Sequence, residues 1–310
     1  MPDLFDPLQI RSVKFLNRIA VSPMVQTSSK DGFANDWHLV HLGSRAVGGA
    51  GLVMTEAAAI DKIGRICSND LGIWKDAHII QLKKIASFIK DQGSIPGIQL
   101  AHAGRKGSYS SPLSQSGLMP LEPLSPKNNG WQTIAPSAIP FENKSSKPTQ
   151  MDNKDIQNVI SSFKKAAKRA DLANFDLIEV HAGHGYLLHQ FYSPISNKRN
   201  DEYGGSIHNR IRLTLEVAEA IRDILPEKKI LSFRISYTDW INGGWSLEDS
   251  IILSKELKKR GVDIIDVSSG GTSPNSVAIA KDLIEDRDKI KTDSLIPLEP
   301  GYQVKGASII

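Results

Sequence analysis

The chain alternates short apolar runs with longer stretches in which apolar residues recur every three or four positions. The short runs at 18–21, 51–55 (GLVMT), 95–100, 176–180 (DLIEV), 230–235 and 263–267 (DIIDV) predict six strands. The periodic stretches predict helices over 36–47, 76–90, 152–172, 206–224 and from Ser246 onward. In 152–172 the stripe is Ile156, Val159, Ile160, Phe163, Ala167 and Ala170. In 206–224 it is Ile211, Leu215, Ala218 and Ile221. Asp76 stands where it would cap the second helix, and Ser246 with Asp249 reads as a capping box. Pro96 suits only the first residues of its strand, because it has no N–H to pair.

Strands that are apolar throughout, each separated by a helix, predict a parallel sheet covered on both faces. An open doubly wound sheet and a (β/α) barrel both satisfy this. No GxGxxG follows the first strand, which counts against the open dinucleotide-binding sheet. Instead Ser22, Glu56, His102, His181 and Ser236 follow five different strands, and chemistry at many strand ends is the barrel arrangement. Two segments break the rhythm. Residues 107–150 hold seven of the 16 prolines and follow strand three, which predicts a lid or rim over the active face. Beyond Gly271 the pattern weakens, with one helix predicted over 278–290.

Charge and composition narrow the partners. Against 38 Lys and Arg stand 34 Asp and Glu, a net charge of +4 that gives no reason to expect nucleic acid. No apolar run approaches the roughly 18 residues of a membrane span, and the first ten residues lack a signal peptide's basic and apolar regions. The expectation is a soluble cytoplasmic protein. Cys67 is the single cysteine, so it cannot form an internal disulfide or a cysteine-based metal cluster. With no group nearby to lower its pKa, it reads as a bystander.

The densest chemistry is Glu179-Val-His181-Ala-Gly-His184-Gly-Tyr186. An imidazole can donate to a developing oxyanion and a phenol can deliver a proton. The alternatives are a capping histidine beside a surface one, or the metal site of a barrel hydrolase that uses His181 and His184, with Glu179 and His189 near. Gln99 and Arg234 lie inside apolar strands. A buried amide requires a partner, and a buried guanidinium requires an anion or a ring acceptor. A salt bridge from Arg234 to Glu56 or Glu179 would satisfy it equally. The loop Asn197 to Ser206 has good capping chemistry and reads equally well as structural.

These residues resemble the Old Yellow Enzyme family of FMN-dependent ene-reductases, in the branch of bacterial NADPH dehydrogenases and xenobiotic reductases. The resemblance is carried by Leu4-Phe5-Asp6-Pro7-Leu8, Asn17-Arg18-Ile19, Ser22-Pro23-Met24, Asp36-Trp37-His38 and the run Gly97 to Lys106. It continues through Ala135-Pro136-Ser137-Ala138, the run His181 to Tyr186, Ser196-Asn197-Lys198-Arg199 and the run Asp201 to Ser206. It implies a single α/β domain over 1–310, of (β/α)8 TIM-barrel type, reducing FMN with NADPH or NADH. Hydride then passes from flavin N5 to an α,β-unsaturated carbonyl compound. By position, Ser22, Pro23, Met24, Val25 and Ala57 would line the flavin. Gln99 would bond its pyrimidine edge and Arg234 would sit by N1. His181 and His184 would bind the substrate carbonyl, Tyr186 would give the proton, and Thr27 would touch the substrate; no metal is implied.

This sequence departs from the family pattern at three places. Val25 stands where the branch usually has a cysteine, and Thr27 where it has a tyrosine. Pro300-Gly301-Tyr302-Gln303-Val304 matches the start of the family's seventh strand segment, and the residues after it do not match. The expectation is about six of eight β/α units, with no positions for the phosphate-binding residues. Such a chain would close as a homo-oligomer, or be an impaired remnant that does not retain FMN.

Overall fold

The computed structural model describes residues 2–114, 117–118, 121–274, 276–280, 294–298 and 300–310. Six strands form one parallel sheet: β1 (Ala20–Val21), β2 (Leu52–Ala59), β3 (Ile95–Ala101), β4 (Leu177–Ala182), β5 (Ile230–Ser236) and β6 (Ile264–Ser268). They lie side by side in chain order. That is the order of a curled barrel wall, whereas a doubly wound sheet reverses direction at a switch point. Between them run α1 (Asp36–Val47), α2 (Ile79–Asp91), α3 (Asn153–Leu172), α4 (Leu187–Tyr192), α5 (Ile207–Arg222) and α6 (Leu247–Lys259). None is long and apolar enough to cross a membrane.

Side-chain alternation decides what each face of the sheet does. Val53, Ile98, Leu100, Ile178, Val180, Leu231, Phe233 and Ile235 are buried in one core with Leu82, Phe163, Ile211 and Leu253 of the helices. The opposite face is apolar at the N-terminal ends of the strands, at Leu177 and Ile230, and carries Gln99, Glu179, His181, Arg234 and Asp266 further along. At the N-terminal ends of the strands an antiparallel hairpin, Leu8–Ile10 with Val13–Phe15, packs its Val13 and Phe15 against Met54, Leu177 and Ile230. An apolar plug there leaves the C-terminal ends as the place for chemistry.

Helix ends follow their caps. The Ser246 side chain accepts from Asp249 N, and Asp249 returns the bond to Ser246 N. Ser246→Ala is therefore expected to cost about 1 kcal/mol in urea unfolding without changing the fold. Asp76 does not cap α2. It lies in a short 3-10 turn, Asp76–His78, and its carboxylate accepts from Arg169 Nε of α3 at 2.7 Å. The second strand extends four residues past Thr55, so Glu56 and Ala57 are inside it, at a register shift between Met54 and Ala57. In the predicted helix 278–290, residues up to Ala280 instead belong to the strand Ser276–Ala280, paired in parallel with Ser294–Leu298. Residues 281–290 lie outside the described residues.

Candidate active site

The sheet register stacks polar side chains in rows. Ala57, Gln99, Glu179 and Ser232 are successive partners across β2 to β5. Two residues on, His181, Arg234 and Asp266 form the next row, and Ser236 with Ser268 the one beyond. These rows line the face of the sheet turned away from the core it shares with the helices. In the first row Gln99 Nε2 donates to Glu179 Oε1 at 2.9 Å, and Ser232 Oγ donates to Oε2 at 3.0 Å. Burial, reinforced by Asp266, outweighs these bonds and the Arg234 charge and raises the Glu179 carboxyl to about 7. One of the two N–H donors of Gln99 Nε2 is spent on Glu179, so Gln99 keeps the other donor and its carbonyl oxygen for anything above it.

Arg234 does not pair with Glu56 or Glu179. Its Nε lies 3.3 Å from Asp266 Oδ2, close enough for an ion pair, yet that buried nitrogen makes no hydrogen bond. Hydrogen bonds are directional, and the approach of Asp266 does not satisfy this N–H. The guanidinium thus holds a buried donor suited to a further acceptor.

The loop after β4 brings His181, His184 and Tyr186 together. The His181 ring centroid is 5.0 Å from that of His184 and 4.9 Å from that of Tyr186, both edge-on. Gly183 N donates to His181 Nδ1 at 3.3 Å, which assigns the His181 proton to Nε2. His184 has φ +54°, the left-handed region. Its N–H donates to Ser236 Oγ at 2.8 Å, and its Nε2 meets Ser268 Oγ at 2.5 Å. Burial, followed by the Arg234 and Lys106 charges, lowers His184 to about 3, and burial, followed by His184 and the same two charges, lowers His181 well below the usual range. Both imidazoles are neutral at physiological pH. Burial pushes the Tyr186 phenol up, so it keeps its proton.

The β1 exit presents a different surface. Ser22, Met24 and Val25 are exposed, with Met24 at 45% and Val25 at 44%, an apolar shelf beside the polar rows. Pro23 is half-buried between them. Thr27 has φ +50°, a genuine outlier for a β-branched residue, and its hydroxyl is turned to Gln26 O at 2.8 Å. Glu56 holds this loop. It accepts from Gln26 N at 2.8 Å and faces His38 Nε2 at 3.1 Å, while His38 also closes the capping box of α1 with Asn35. Nothing in local sequence marks Glu56 and His38 as partners.

At the β3 exit, Gly104 N donates to His102 Nδ1, and burial lowers His102 to about 4. Gly104 has φ +58°, and a Cβ there would meet Gln190 Oε1 at 2.3 Å, so glycine is required. A narrow cavity at this end is lined by Ala57, Ala101, Ala103, Asp70 and Tyr186. Beside it Cys67 is fully buried, its Sγ 3.1 Å from Asp70 Oδ1 and its thiol pushed up by burial, which fits a bystander. Glu179 is committed to Gln99 and Ser232, and among the described residues no three His, Cys, Asp or Glu side chains are grouped to hold a metal ion.

An apolar shelf, an amide, a guanidinium donor and two neutral imidazoles suit a flat heterocycle that gains negative charge. The family model described as NADH:flavin oxidoreductase / NADH oxidase family matches residues 3–282. The chain is 42% identical to an NADPH dehydrogenase of Geobacillus sp. over 309 residues, covering 99% of this chain and 79% of that one. It is 44% identical to an NADH:flavin oxidoreductase of Gibberella zeae over 291 residues, covering 90% and 70%. Among solved structures, morphinone reductase superposes with a TM-score of 0.73 at 27% identity, covering 99% of this chain and 77% of that one. Old Yellow Enzyme from Pichia sp. gives 0.72 at 25%, covering 99% and 78%. The chain belongs to the NADH:flavin oxidoreductase / NADH oxidase family and is an oxidoreductase of the Old Yellow Enzyme type, working with FMN and NAD(P)H.

Proposed function

We propose that this enzyme reduces the activated C=C bond of α,β-unsaturated carbonyl compounds. The observation that carries the reading is the pair of neutral imidazoles, His181 and His184, edge-on at 5.0 Å with the protonated Tyr186 phenol beside them. FMN, when bound, supplies the hydride chemistry. The chain's own residues orient and polarise. Met24 and Val25 form the shelf, Gln99 offers its carbonyl oxygen, and Arg234 offers Nε–H where negative charge builds. His181, donating from Nε2, and His184 hold the carbonyl oxygen of the substrate, and Tyr186 holds a proton for its α-carbon. Thr27 stands at the substrate's side of the β1 exit. The six strands form an arc of six of the eight β/α units of a (β/α)8 barrel. The described residues of 107–150 act as a rim over the site, a reading supported by Phe141 against Lys106 and by Ile139 O, which accepts from Arg105.

The test is a visible spectrum after adding excess FMN and desalting, followed by anaerobic NADPH and then 2-cyclohexen-1-one. Retained yellow colour, bleached by NADPH and restored by the enone, is the expected result. Colour restored only by oxygen would overturn the substrate reading. Colourless protein would overturn the reading of Met24, Val25, Gln99 and Arg234 as a flavin site. Arg234→Met is expected to weaken FMN binding about 10- to 100-fold by fluorescence titration, the worth of one charged hydrogen bond.

A further inference from the structure

We propose that Lys106 is the positioning residue of the His181–Tyr186 loop: its ammonium group ties the turn at His184 to the loop after β6 and lies against the Tyr186 ring. The inference rests on the proposed function only in taking that loop as the part that meets the substrate.

Lys106 ends the short turn Gly104–Lys106 after β3. Its Nζ donates to His184 O at 2.8 Å and to Gly271 O at 3.1 Å. It sits 4.9 Å from the Tyr186 ring centroid and 4.7 Å from that of Phe141. The two accepting loops touch closely, because a Cβ on Gly185 would lie 2.1 Å from Gly271 O and one on Gly271 would lie 2.5 Å from His184 O. His184 and Gly271 both have positive φ, at +54° and +94°. Two carbonyl oxygens converging on one point repel unless a donor with positive charge stands between them. A lysine ammonium is compact, has three donors and accepts nothing, so it fits the gap. The neighbouring Arg105 also holds the loop after β6, donating to Thr272 O at 2.8 Å.

The charge matters as well as the bonds. The groups facing the imidazoles are Arg234 from β5, Lys106 from the turn after β3 and His189 from α4, and the two imidazoles face each other. Burial and Arg105 lower Lys106 to about 8, so it remains charged at neutral pH. A fixed cation beside His181 and His184 opposes their protonation and keeps them as neutral donors. Arg234 shares this task, so removing Lys106 weakens the effect without abolishing it.

The experiment is Lys106→Met beside Lys106→Arg, with the imidazole C2–H resonances of His181 and His184 followed by NMR across pH. In Lys106→Met both histidines are expected to titrate at higher pH than in the native enzyme, with kcat for 2-cyclohexen-1-one falling about 10²-fold, the cost of a displaced reacting group. Lys106→Arg is expected to restore the histidine titration and part of kcat. Unmoved titrations in Lys106→Met would overturn the proposal, whatever the turnover. Should Lys106→Met fail to fold, Lys106→Gln keeps a donor for the two carbonyls without the charge and gives the same reading. The titration is read on the protein with and without FMN. An enzyme that does not reduce the enone therefore sinks the proposed function while still deciding the role of Lys106.

Discussion

With both His181 and His184 replaced by alanine, kcat/KM for 2-cyclohexen-1-one is expected to fall by about 10³-fold or more. Removing one preorganised donor from a developing oxyanion costs about 10²- to 10³-fold. Two donors on one oxygen act as a unit, so the double loss is not a simple product. The pair is suited to this work because burial and the Arg234 and Lys106 charges keep both rings neutral. A neutral imidazole donates without first giving up a charge. The sign of the pH effect follows: donation persists through the physiological range and changes only as pH falls toward about 3, where His184 takes a proton. FMN should still co-elute with the double variant, since the shelf of Met24 and Val25, Gln99 and Arg234 are untouched. Turnover within about tenfold of the native enzyme would remove both histidines from the proposed site.

Local pattern carried much of this fold. The boundaries of α1 coincide with the predicted 36–47, and the Ser246 capping box forms as its spacing requires. Where local reading failed, a distant partner had decided. Asp76 has the right spacing to cap α2, but Arg169 from α3 takes its carboxylate. Residues 278–280 have helical composition and are held as strand by pairing with 296–298. The site was legible where polar residues interrupt apolar strands, because a buried Arg234 or Gln99 demands an explanation that a surface residue does not. Its supports were not legible. Ser268 on His184, Glu56 on the β1 exit and Asp239 on His189 each act across 30 or more residues of chain, and short polar side chains carry no signature of the partner they will meet.

Asp239→Ala is expected to cost about 3–5 kcal/mol of stability, a large share of the roughly 5–15 kcal/mol available to a folded protein. Asp239 is fully buried, and its Oδ1 meets His189 Nε2 at 2.8 Å and accepts from Thr272 Oγ1. Its Oδ2 accepts from Ser193 Oγ at 2.6 Å and from Trp245 N at 2.8 Å. Truncation leaves Ser193 Oγ and Trp245 N buried without this acceptor and leaves His189 and Thr272 only each other, 3.2 Å apart, and each unsatisfied group carries a desolvation penalty. Burial alone would raise the Asp239 pKa. The attraction of His189 and the hydrogen bonds from His189, Ser193 and Thr272 outweigh it and hold the carboxyl at about 2. A carboxyl lowered in the folded state contributes stability that is fully present above its unfolded pKa of about 3.9 and is lost as pH falls toward 2. Urea unfolding at several pH values should therefore show the gap between native and Asp239→Ala proteins narrowing from pH 4 to pH 2. A gap that stays constant would mean that Asp239 is not held ionised by this network. The loss should also reach the site. Gly185 N donates to His189 Nδ1 at 2.8 Å, so a histidine released by Asp239 frees the peptide between His184 and Tyr186. Turnover measured well below the unfolding midpoint should fall with stability, and full activity in the folded variant would separate the buried network from the loop it supports.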